Sequence, residues 1–347
     1  AALRIQKESD RRLAAELDAR DKLWSSYLAQ ARASRSSVQA GHVFDGLEAV
    51  KAAAAMRPTA ELRDEAIALL AQADLRAREA PPRARQSTSH VVLDAPFERY
   101  AMTDTTNVVS IRRLRDDHLF AQILHPGETR ASPHEFSRDG RWFTTGGPGT
   151  DRYVWELADA EPRLRATIPS VWGLPISPDN RLVAAVLWSG EVELRRLSDG
   201  RRLESFAVGL PTPKVQFGPD GRILCLYSEQ TNVVHLVAVP GGAVIRSLSH
   251  PAPVKAVSWH PAGDRLACAS GDKVYLWSLR GGEPPMLFAG HDAELWSVVF
   301  HPGGEFLASS GVDGTTRLWE TASGQETSRL AVPGTRLQFS ADGAALS

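Results

Sequence analysis

One short pattern returns seven times along this chain of 347 residues. An apolar residue leads into a polar turn: LDAPF from 93, FSRDG from 136, ISPDN from 176, FGPDG from 217, WHPAG from 259, FHPGG from 300 and FSADG from 339. The starts lie 39 to 43 residues apart. A fixed period of this size means supersecondary units that stack side by side, because one small unit cannot bury its own faces.

Each of the first six turns is followed by two apolar-polar alternating runs and a shorter third. The second of these runs reads VYLWSL at 274–279 and TRLWE at 316–320, with weaker copies at 109–114, 153–157, 192–197 and 234–239. Asp313-Gly314 between two such runs is a tight hairpin signal. The spacing predicts an all-β array of six four-stranded units. A seventh, GTRLQFSADGAALS, holds one strand, a turn and the start of another.

Period, strand number and the V-x-L-W run resemble the WD-repeat β-propeller family from about residue 88 to the end. The stretch GHDAELWSVVFHPGGEFLASSGVDGTTRLWE carries the resemblance best. It implies a buried His-Ser-Asp-Trp tetrad, here His291, Ser309, Asp313 and Trp319. The fifth unit keeps His250, Asp272 and Trp277, with Cys268 where the serine would stand. The second keeps Trp155, with His125 before its first strand. Arg112, Arg195 and Val237 hold the tryptophan place in units one, three and four, so those tetrads are expected to be missing.

Composition narrows the function. Lys and Arg number 40 against 41 Asp and Glu, and neither sign clusters, so nucleic acid and anionic membrane have no footprint. Cys225 and Cys268, the only cysteines, sit in apolar runs and read as buried thiols. His260 and His301 stand in turns of separate units, without ligand spacing, so no metal is expected. Asp139, Asp220 and Asp342 suit local bonding in turns. No G-x-S-x-G elbow, P-loop, H-E-x-x-H or kinase catalytic motif is present, so no catalytic residue and no cofactor is expected.

Residues 1–79 are a different material, rich in Ala, Leu, Arg and Glu. A long helix ends before Gly41, with Leu13, Leu17, Trp24, Leu28 and Ala31 as its apolar stripe. Two shorter helices follow, the last with Leu62, Ala66, Leu69 and Leu70 on one side. APPRARQSTS at 80–89 reads as a linker, and 90–347 is the propeller. The segment LWSSYLAQARASRSSVQAGHVFDGLEAVKAAAAMRPTAELRDEAIALL resembles the block between membrane span and WD repeats in large bacterial serine/threonine kinases. That resemblance implies a regulatory or sensory end of a kinase whose catalytic domain lies outside this chain. It also implies a membrane-anchored parent with the propeller outside the cytoplasm. The opening AALRIQKESD, without an initiator Met, is expected for a piece of such a protein.

Two functions follow. One is a non-catalytic module binding a protein or peptide on the propeller face. The alternative is a propeller-type hydrolase or lyase with its site at the channel mouth. The loops before the first strands carry mostly Ser, Pro, Ala and Val, which favours the module. Counting back from each turn places Ser89, Ser132, Trp172, Pro213, Lys255, Trp296 and Thr335 around one rim. Trp172, Lys255 and Trp296 are the expected partner-binding residues there. Self-association is expected through the long helix or the open edge of the last unit.

Overall fold

The computed structural model describes residues 2–75, 91–103, 108–124, 131–146, 151–158, 161–169, 171–332, 334 and 336–347. The linker at 80–89, and with it Ser89, lies outside the described residues, as do His125 and Thr335. The chain divides into two compact units. One joins Ala1–Arg78 to Thr316–Val332; the other holds Glu79–Thr315 and Pro333–Ser347.

Among the described residues, twenty-four strands are arranged as six four-stranded antiparallel sheets. The first holds β1 (Val92–Leu93), β2 (Arg99–Thr103), β3 (Val108–Arg113) and β4 (Leu119–Leu124). The second holds β5 (Ser132–Phe136), β6 (Trp142–Gly146), β7 (Arg152–Ala158) and β8 (Glu161–Ile168). In the third are β9 (Val171–Gly173), β10 (Leu182–Leu187), β11 (Glu191–Arg196) and β12 (Arg202–Ala207). The fourth comprises β13 (Lys214–Phe217), β14 (Ile223–Tyr227), β15 (Val233–Ala238) and β16 (Val244–Ser249). The fifth is β17 (Val254–Trp259), β18 (Arg265–Ser270), β19 (Lys273–Ser278) and β20 (Met286–Ala289). The sixth is β21 (Leu295–Phe300), β22 (Phe306–Gly311), β23 (Thr316–Glu320) and β24 (Glu326–Leu330). In every sheet the strands lie side by side in chain order.

In the larger unit the core lies between sheets. Phe143, Tyr153 and Trp155 pack with Ile111 and Ile123 across the first seam. Val154 and Ile168 meet Val171 and Val183 across the second. Leu194 and Leu224 share the third, and Cys225, Val257 and Cys268 the fourth. Burying a side chain such as fully enclosed Phe143 contributes roughly 1.5–3 kcal/mol, so each seam is held chiefly by its apolar alternation.

The polar turns explain the recurring sequence. Ser137, Ser177 and Ser340 each donate to the aspartate two residues on, at 2.6 Å. Each hydroxyl also accepts the N–H of the residue five on: Trp142, Leu182 and Ala345. In two units a histidine replaces the serine, and the Nδ1 atoms of His260 and His301 accept from Ala262 and Gly303. The turn then needs a left-handed residue, supplied by Gly140, Asn180, Gly221, Gly263, Gly304 and Gly343. His260 and His301 also sit edge-on to Phe300 and Phe339 of the following unit, at 5.2 Å.

These rings leave no room above the next glycine, since a Cβ on Gly304 would stand 2.3 Å from His260 Nε2. Gly304→Ala is therefore expected to destabilise by about 1–3 kcal/mol, from a strained φ and a displaced ring together. Gly314→Ala also has a positive φ but meets nothing within 4 Å, so it should cost less. Chemical denaturation of the two variants measures the difference.

Beyond β24 the chain makes a truncated seventh unit. Phe339 and Leu346 form an antiparallel bridge, closed by bonds between Gln338 and Ser347. Leu337 N–H donates to Ser297 of β21, and Ala341 N–H donates to the Ala95 carbonyl just after β1. The stub thus bonds to both the sixth and the first sheet.

The smaller unit is built on α1 (Ala2–Arg35), α2 (His42–Met56) and α3 (Ala60–Leu70). Trp24, Leu28 and Ala31 of α1 pack with Val50, Ala53, Leu62 and Leu69. The expected stripe on α1 divides there. Leu13 and Leu17 come before Trp24, the first α1 residue of that cluster, and stay 58% and 55% exposed. On α3, Leu70 is also exposed, and the first turn is capped by the Thr59 hydroxyl, which accepts from Leu62 N–H.

The β23–β24 hairpin belongs to this unit. Residues 38–40 run parallel to β24, with Ala40 N–H donating to the Arg329 carbonyl and Arg329 N–H to the Val38 carbonyl. Asp74 ties the pieces together. Its carboxylate accepts the N–H groups of Gly41 and Val43 at the start of α2, that of Leu75, and the Ser328 hydroxyl on β24. A carboxylate at a helix N-terminus is favoured by the dipole, and this one is completed by the His42 ring at 3.2 Å.

Candidate interaction surface

The blade-six residues come together as a polar cluster. The His291 ring bonds Asp313 through Nδ1 and the Ser309 hydroxyl through Nε2, both at 2.8 Å. Asp313 also accepts the N–H groups of Asp292 and Thr315 and the Thr315 hydroxyl. Burial works to raise its pKa, but these donors outweigh burial and hold the carboxyl down at about 2. Trp319 is 1% exposed.

Blade five is assembled differently. Trp277 Nε1–H donates directly to His250 Nε2 at 3.0 Å, with Cys268 in the place a bridging serine would take. Asp272 does not join them: its half-exposed carboxylate pairs with Lys273, while His250 Nδ1 faces the Asn232 carbonyl. With no serine to orient it, the ring turns toward that carbonyl. Burial pulls the His250 pKa down, so the ring is held neutral and able to accept from the indole.

Blade two supplies a residue that sequence reading passed over. Trp155 Nε1–H donates to the Thr145 hydroxyl, buried, at 2.8 Å. Thr145 is the counterpart of Ser309 in register, and counting from the turn would have found it. At the tryptophan places of blades one and three, Arg112 donates to the Asp117 carbonyl and Arg195 to the Gly200 carbonyl. These clusters satisfy buried polar groups and present no reacting geometry.

The first strands of five sheets (β1, β5, β13, β17 and β21), Tyr227 of β14 and the stub line a cavity of about 820 Å³. Lys255 and Trp296 are both in its wall. Lys255 is not a free cation, because Glu294 pairs with it at 3.3 Å. Lys214 is likewise paired with Glu229, and Arg336 stands exposed on the stub. Trp296 keeps 41% of its surface open. Trp172 is not in this wall. It leans edge-on against Trp188 at 4.9 Å, and both rings are open to solvent.

Two wall residues have strongly displaced pKa values. Burial pushes the Tyr227 hydroxyl up, and burial pushes Glu135 up to about 7 against one bond from Ile176 N–H. The buried Cys225 and Cys268 thiols are also pushed up, away from the reactive thiolate. Among the described residues no group of His, Cys, Asp and Glu could hold a metal ion, and no helix is long and apolar enough to cross a membrane.

Six stacked four-stranded sheets, with a cavity walled mainly by the first strands of five of them, define the β-propeller class. Residues 242–278 and 282–320 match the family described as WD domain, G-beta repeat. Those stretches carry WD repeats, and the fold is that of a β-propeller. The chain is 26% identical over 203 residues to the serine-threonine kinase receptor-associated protein of Gallus gallus, covering 55% of each chain. The human protein of that name is 25% identical over 205 residues, with the same coverage. Periodic tryptophan protein 2 of Arabidopsis thaliana is 27% identical over 199 residues, 54% of this chain and 22% of that protein. The chain thus spans about half the length of the first of these relatives.

Proposed function

We propose that the chain is a non-catalytic module that binds a protein or peptide on the propeller face. The observation that carries this reading is Trp296, open to solvent at the wall of the cavity beside the Lys255–Glu294 pair. Exposed aromatics beside paired charges have the composition of interface anchors, where truncation costs about 2 kcal/mol or more. The Trp172–Trp188 pair offers a second aromatic surface. The repeats and the relatives support interaction rather than catalysis.

The finer reading places the chain at the C-terminal end of a bacterial serine/threonine kinase. It rests on the resemblance of residues 1–75 and on the order helices then propeller. A kinase domain encoded upstream of Ala1 in the same reading frame supports it, and a frame without one removes it.

The Trp172→Ala/Trp296→Ala double variant tests the binding reading. It is expected to keep stability within about 1 kcal/mol, the scale of one aromatic pair, and to lose partner capture. Normal capture together with early unfolding would make these residues packing groups.

A further inference from the structure

The seams between sheets share one device. Ser258 of β17 accepts Phe300 N–H from the next sheet at 3.0 Å, and Ser297 accepts Leu337 N–H at 3.0 Å. At the seam between the second and third sheets the acceptor is Glu135, which takes Ile176 N–H at 3.4 Å. A carboxylate thus does what a neutral hydroxyl does elsewhere, and it does so in the wall of the cavity.

Among the described residues that bond is its one polar partner, and no cation there pairs with it. Lys214 and Lys255 line the same cavity but are held by Glu229 and Glu294. Burial raises the Glu135 pKa and the Ile176 N–H opposes it, while His134, Tyr227 and Arg336 share the same wall. Glu135 is part-buried by exposure, and the loss of water around its carboxyl pushes its pKa up to about 7. The cavity, about 820 Å³, is of the size that takes a ligand group rather than a single water.

We propose that Glu135 makes the cavity selective for a polypeptide segment that directs an arginine or lysine side chain inward to pair with its carboxylate. This rests on the reading of the propeller face as a peptide-binding surface and deepens it. The entering cation supplies the missing counter-ion, and the exposed Trp296 ring gives the segment an apolar contact at the wall. Binding then shifts Glu135 to its charged form and releases a proton near neutral pH.

Two blocked tripeptides test this on the full chain: acetyl-Ala-Arg-Ala-amide, and the same peptide with citrulline, which keeps the shape and removes the charge. Binding is followed by the NMR shift of the Ile176 amide, at pH 8 and pH 5.5. At pH 8 the arginine peptide should bind at least tenfold more tightly than the citrulline one. The ratio should shrink at pH 5.5, where Glu135 is protonated. Glu135→Gln, which keeps an acceptor for Ile176, should show a ratio near one at both values. Equal binding of the two peptides at pH 8, or a ratio that survives in Glu135→Gln, overturns the proposal. If both peptides bind equally and both are lost in Trp296→Ala, the face binds peptides and only the role of Glu135 fails. If neither peptide binds, the proposal is overturned, and the partner-capture measurement on the double tryptophan variant judges the broader reading separately.

Discussion

Asp74→Ala is expected to release the helical block from the last hairpin, at a cost of about 3–5 kcal/mol within that unit. The substitution strips acceptors from three backbone N–H groups, from the Ser328 hydroxyl and from His42 at once. Asp74 and His42 are both nearly wholly buried, so water cannot replace what is lost. Leaving buried donors unmet costs more than the bonds contribute when made. Hydrogen exchange at Ala40 and Arg329, whose amides bond across residues 38–40 and β24, should speed by several orders of magnitude. Asp74→Asn keeps one acceptor oxygen and should lie between. Unchanged protection in Asp74→Ala would show that apolar packing alone holds these pieces.

The second large effect belongs to Asp313. Its carboxylate serves His291, Asp292 and Thr315. Asp313→Ala should therefore destabilise by about 2–4 kcal/mol, the range for breaking a buried hydrogen-bonded network. A second signature is pH. The folded-state pKa is about 2, below the ordinary 3.8, so the stabilisation is complete above pH 4 and is lost as pH falls toward 2. Integrated over that window it amounts to about 2 kcal/mol. Asp313→Asn should flatten this acid limb in urea titrations between pH 4 and 2; an unchanged limb would mean the network contributes little.

The repeat was legible because every unit states it locally. The turn residues, the V-x-L-W run and the left-handed glycines are each decided within a few positions, and their spacing gave the register from which His291, Ser309 and Asp313 were found. What was not legible depends on partners far away in sequence. Nothing around Asp74 marks it, because its partners include Ser328, 254 residues later. Trp172 could be counted onto the rim, but Trp188 had to be seen to show what it leans on. Asp272 matched the pattern yet stands apart, since the pattern records a position and not the turn of the neighbouring ring. Glu135 passed unnoticed for the opposite reason: its meaning comes from having no paired cation among the described residues, which no local motif encodes.

The parallel pairing of residues 38–40 with β24 sets a schedule for synthesis. The three helices are made before the sheets, and the strand they hold is made only after five of those sheets. At roughly 5–20 residues per second, the 254 residues between Asp74 and Ser328 take on the order of 10–50 s to appear. For that interval Asp74, His42 and the open backbone of residues 38–40 wait without their counterpart, while sheets one to five are laid down in turn. A ribosome that stalls before β24 therefore holds a chain whose helical clasp is still open, and a chaperone that shields this clasp acts on the helices for the sake of a strand 254 residues later.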